Sequence, residues 1–108
     1  MEMEKIESLL AIVKQLYKDM KDIAGKHPDQ PIRWDTAEIF NDLLVQAKQQ
    51  MKDHPVIKQI QALERPRDDE SCRALKVVDM VAKLSVLKGA LMDCRMTHEL
   101  RQYELKQR

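Results

Sequence analysis

Cys94 and His98 stand four residues apart in the stretch "DCRMTHEL", one turn of a helix, which sets a thiol beside an imidazole. That spacing suits two ligands of a metal ion, or a nucleophile with its base. The rest of the chain completes neither. A stable zinc site takes three or four ligands, and Cys72 lies 22 residues before Cys94, about 33 Å along a continuous helix. The same distance argues against a disulfide between the two. His27 and His54 each precede a proline at a predicted helix end, where capping or exposure accounts for them. The Glu-x-x-His pairs of di-iron bundles are missing, because the positions three residues before the histidines hold Ala24, Met51 and Arg95.

Catalysis needs a nucleophile, a base and a group to orient the base, yet the apolar stripes bring no Asp, Glu or Lys together. With 2 glycines in the whole chain there is no phosphate-cradling loop. No catalytic residue, metal ligand set or cofactor site is therefore predicted. A basic cluster of Arg65, Arg67, Arg73 and Lys76 lies between helical segments that resemble a helix-turn-helix in outline. The N-terminal residues of its second helix would be Asp68, Asp69 and Glu70, which phosphates repel, so nucleic acid is not the expected partner.

Charge and composition agree. The chain has 19 basic and 18 acidic residues, with 8 and 10 of them in residues 1–54 and 11 and 8 in residues 55–108, a tilt from −2 to +3 that is too mild for a polyanionic partner. No apolar run approaches the roughly 18 residues that suggest a membrane span, and the acidic start "MEMEKIESLL" is unlike a secretory signal. Two cysteines make no disulfide framework. The expectation is a cytoplasmic protein with reduced thiols and no membrane contact.

The elements that position these residues read as helices throughout. Ile6, Leu9, Leu10, Val13, Leu16, Tyr17, Met20, Ile23 and Ala24 recur at three and four, predicting a helix over 2–24 that Gly25 ends in the left-handed conformation. "KHPDQPIR" reads as a loop. In "RWDTAEIF", Asp35 is placed to cap a second helix, Glu38 to close a capping box, and Trp34 to pack on Ile39 as a staple rather than to anchor a partner. Ile39, Phe40, Leu43, Leu44, Ala47 and Met51 form that helix's apolar face, which ends near Asp53 ahead of Pro55. Pro55 opens a short third helix carrying Val56, Ile57, Ile60 and Leu63.

After "ERPRDDE", Asp68 or Asp69 is placed to cap a last helix that reaches about Glu104, roughly 54 Å against about 35 Å for the first. From Ala74 to Met92 it is apolar over most of its circumference, with a polar strip through Lys76, Asp79 and Lys83, so the other helices must surround it. The fold expected is all-α: a four-helix bundle with up-down-like packing, third helix short, fourth long and central, as a single domain over 1–108.

The long helix should outrun its cover. Met92, Met96, Leu100 and Tyr103, with neighbouring Leu91, are the expected partner-binding residues. They point to a non-enzymatic interaction or regulatory module that forms a homodimer through the last helix, or that docks on another protein. The alternative is a small helical enzyme or ligand binder whose site lies between helices or across a dimer.

Overall fold

The computed structural model describes residues 3–64 and 71–107, with the backbone alone for 71–74. The element order is α1 (Met3–Lys26), β1 (Pro31–Arg33), α2 (Trp34–Gln50), α3 (Pro55–Gln59), β2 (Ser71–Lys76) and α4 (Val77–Gln107). The chain is mostly helical, as expected, with a short third helix and a long last one.

α1 buries Ile6, Leu9, Leu10 and Val13, while Leu16, Tyr17, Met20, Ile23 and Ala24 pack on the same core further along. Gly25 does not terminate it: α1 runs through Lys26, and no described residue has a positive φ. The stop comes from Pro28, whose ring disfavours helical geometry at His27, and His27 N–H makes the last helical bond, to Ile23 O at 2.7 Å.

The expected loop and the expected early start of the last helix both give way to a two-stranded antiparallel ribbon. Ile32 faces Cys72 and Arg33 faces Ser71, with an irregular step at Pro31 that pairs it with Lys76. Ile32 supplies the buried side chain of β1. Proline lacks a ladder donor, which a ribbon made only of edges tolerates. Two expectations change as a result. The last helix starts at Val77, so no single helix joins Cys72 to Cys94 and the 33 Å separation no longer holds. The helix-turn-helix outline also fails, since the strand Ser71–Lys76 stands where the first turns of its second helix were expected. Asp68 and Asp69, like Arg65 and Arg67, lie outside the described residues, as does the side chain of Arg73.

α4 is started by Asp79. Its Oδ2 accepts the N–H of Lys76, the N-cap residue, at 3.0 Å, which is the reach-back half of a capping box. Val77 N–H donates to Gln30 O at 2.8 Å, tying the start of α4 to the segment that leaves α1. From there α4 returns along α1, and this antiparallel pair is the most extensive packing in the molecule. Lys88 Nζ lies 4.0 Å from the Tyr17 ring centroid across it, and Lys76 Nζ approaches Asp29 Oδ1 at 3.4 Å at its end.

At α2 the capping box does not form. Arg33 is the N-cap and makes no side-chain cap bond, Asp35 Oδ1 accepts from Thr36 N–H at 3.0 Å, and Glu38 Oε1 accepts from Trp34 Nε1 at 2.7 Å. Trp34 packs partly against the core, and Ile39 is 49% exposed. Ala37, Phe40, Leu43, Leu44 and Ala47 make the buried face, continued by Met51. Asn41 pins the stretch after α3 by a double bond to Leu63, accepting its N–H at 2.8 Å and donating to its carbonyl at 3.0 Å.

α4 buries Val77, Met80, Leu84, Leu87 and Leu91, at alternating steps of three and four, plus Ala90. Its other side is not covered: Val78 is 46% and Val86 49% exposed. Among the described residues it is therefore an outer helix, not a surrounded one. Its 31 residues span about 46 Å, and the molecule measures 58 × 28 × 19 Å.

Candidate functional site

Two features have the makings of a site: a cleft beside the Cys94–His98 pair and the uncovered side of α4. The cleft, about 660 Å³, lies where the end of α2 and the start of α3 meet α4. Its lining includes Met51, His54, Asp93, Cys94, His98 and Arg101. Cys94 and His98 are there because they continue the buried stripe of α4 by one further turn each, past the point where apolar cover ends.

His54 is positioned by its two bonds. Nδ1 accepts the N–H of Val56, capping α3, and Nε2 faces Asp93 Oδ2 at 3.2 Å. The backbone donor at Nδ1 places the ring proton on Nε2, so neither nitrogen offers a lone pair to a substrate and His54 is not arranged as a base. Burial pushes the Cys94 thiol above its ordinary value and the Asp93 carboxylate adds to the shift. A thiol held protonated is a poor nucleophile and a poor metal ligand. Among the described residues, no three His, Cys, Asp or Glu side chains converge as metal ligands, and no polar or charged side chain is fully buried. The His54–Asp93 contact joins residues 39 apart in sequence, and no local pattern announces it.

The second feature contains the residues singled out from sequence, and the structure divides them. Leu91 is fully buried in the core, because successive helical residues are about 100° apart and its position is on the stripe facing α1. Met92 is half-buried at the core's margin. Met96, Leu100 and Tyr103 are 59%, 58% and 63% exposed and share one side of α4 with Met92. That side is about 145° around the helix from the buried stripe. The same outward side extends backward through Val78, Ala82, Ser85 and Gly89, all exposed. Sequence reading missed this extension, although the spacing was available: Val78 to Met92 is two heptads.

No described helix is long and apolar enough to cross a membrane. Comparison of the chain with protein-family models, with curated proteins and with solved structures finds no match.

Proposed function

We propose that this chain is a non-enzymatic helical interaction module that acts in the cytoplasm and self-associates through α4. The observation that carries the reading is the side of α4 bearing Met96, Leu100 and Tyr103, each more than half exposed and none in the core cluster. A folded helix that keeps apolar side chains at helical spacing on its wet side gains by covering them, at roughly 25 cal/mol per Å² of apolar surface removed from water. In a pair built on this side, α4 would lie at the centre of a larger helical bundle, the place expected for it from its composition.

Light scattering over a range of concentrations tests the reading. The mass should rise from monomer toward dimer, and a Met96→Asp/Leu100→Asp double variant should stay monomeric with unchanged helicity. A wild-type chain that remains monomeric at all concentrations with α4 fully helical would refute self-association.

The second reading is a ligand binder using the cleft, where His54, Asp93, Cys94, His98 and Arg101 come together. A thermal-shift screen with anions, nucleotides and metal ions distinguishes it, because a ligand that binds only the folded state raises the melting temperature. Stabilisation that Arg101→Ala abolishes would favour the cleft.

A further inference from the structure

We infer that a second copy of this chain pairs in parallel with the first along the whole outward side of α4, from Val78 to Tyr103, and not at its distal turns alone. This rests on the self-association proposed above.

Val78, Ala82, Ser85, Gly89, Met92 and Met96 follow one another at steps of four, three, four, three and four; the next positions of that alternation are Glu99, where a charge interrupts the seam beside Leu100, and Tyr103. An alternation of three and four keeps a seam on one side of a helix that coils gently about another. α4 uses the same alternation on its buried side, through Val77, Met80, Leu84, Leu87 and Leu91. It therefore carries two seams, of which the described part of its own chain covers one. Gly89 is the weakest helix former on the outer seam, and nothing among the described residues accounts for it, since a Cβ added there would meet no described atom within 4 Å. Its missing side chain, next to Ala82 and Ser85, suits the close approach of another backbone.

The flanks of the outer seam select the occupant and its direction. On the side toward α1 lie Val81, Lys88 and Arg95, and on the side toward α3 lie Asp79, Val86 and Asp93. Contacts on the page fix these sides: Lys88 sits over Tyr17 of α1, and Asp93, with its side chain 67% exposed, reaches His54 at the start of α3. In a parallel pair, a residue on the first flank faces the partner's second flank five positions later. Val81 then meets the partner's Val86, and Lys88 meets the partner's Asp93. An antiparallel pair would set each flank against its own kind, Lys88 and Arg95 among bases, Asp79 and Asp93 among acids, a repulsive arrangement. Lys88 and Asp93 keep their contacts to Tyr17 and His54 within the chain, and a parallel copy adds an opposite charge to each, which favours a second copy over an unrelated protein.

The test combines mass with orientation in the full-length chain. Cys72→Ser and Cys94→Ala remove the native thiols, and Tyr103→Cys adds one on the seam. At concentrations where light scattering reports dimer, mild oxidation with glutathione disulfide should link the chains, since equivalent seam residues adjoin across a parallel two-fold. In an antiparallel pair centred on Gly89 they would be about 42 Å apart. Lys88→Asp and Asp93→Lys should each weaken self-association about tenfold, and mixing the two variants should restore it. A dimer that neither cross-links nor responds to the charge exchange overturns the parallel pairing and leaves self-association standing. A monomer at every concentration overturns both.

Discussion

Trp34 places its ring against the margin of the core and directs its one donor to Glu38 within the same helix, so its contacts are made inside its own chain. Trp34→Ala should therefore lower stability by about 2 kcal/mol, less than the loss for a fully buried tryptophan, while leaving the concentration dependence of the mass unchanged. Thermal denaturation beside light scattering checks both halves, and an unchanged melting temperature would contradict this role. Cys94 allows a pH prediction. Its thiol is pushed up by burial first and by Asp93 second, so at any given pH less of it is thiolate than in an unfolded chain. In a Cys72→Ser background, iodoacetamide should alkylate the folded protein more slowly than the denatured one, with the inflection of the pH–rate profile displaced to higher pH. Coincident profiles would show the thiol to be unperturbed. Cys94, His98 and His54 were legible in sequence as groups with chemical potential. Asp93 was not, because His54 reaches it only once α3 has been laid against α4.

At the scale of elements, local signals were reliable where a helix turned one face inward and unreliable at its ends. The stripe of α1 and most of that of α2 follow directly from the three-and-four spacing. The capping box expected at Asp35 and Glu38 is replaced by a Trp34–Glu38 bond, and a reach-back cap appears instead at Asp79, a residue first read as part of a polar strip. Asp79→Ala should cost about 1 kcal/mol, since it leaves the N–H of Lys76 without its carboxylate and removes a negative charge from the start of a long helix. Asp79→Asn should recover part of that loss in chemical denaturation. If both variants match the wild type, the ribbon and not the cap sets where α4 begins. The ribbon itself was illegible: Ala74, Leu75 and Lys76 are good helix formers, and their strand geometry comes from partners roughly 40 residues earlier.

For the molecule as a whole, the deciding fact is that α4 has more apolar surface than the described part of its own chain covers. Six of the ten large hydrophobic residues exposed in the described chain lie on it: Val78, Val86, Met96, Leu100, Tyr103 and Leu105. If assembly covers them, stability becomes a function of concentration, because association that requires the folded chain shifts unfolding by mass action. The melting temperature of the wild type should then rise with concentration, and that of Met96→Asp/Leu100→Asp should not. A melting temperature independent of concentration in both would count against the assembled state.

The sequence by itself determined that this chain is built of helices, where prolines interrupt them, and which side chains are oily enough to seek cover. Those properties depend on neighbours three or four residues away, and they are present in any short window. Only the tertiary structure decided which of the two seams on α4 faces inward. The two sides differ in bulk, and the one carrying Val77, Met80, Leu84, Leu87 and Leu91, with more apolar area to bury than Ala82, Ser85 and Gly89 offer on the other, is the side packed against α1. Leu91 was thereby drawn into the core, and Met96, Leu100 and Tyr103 were left on the outside.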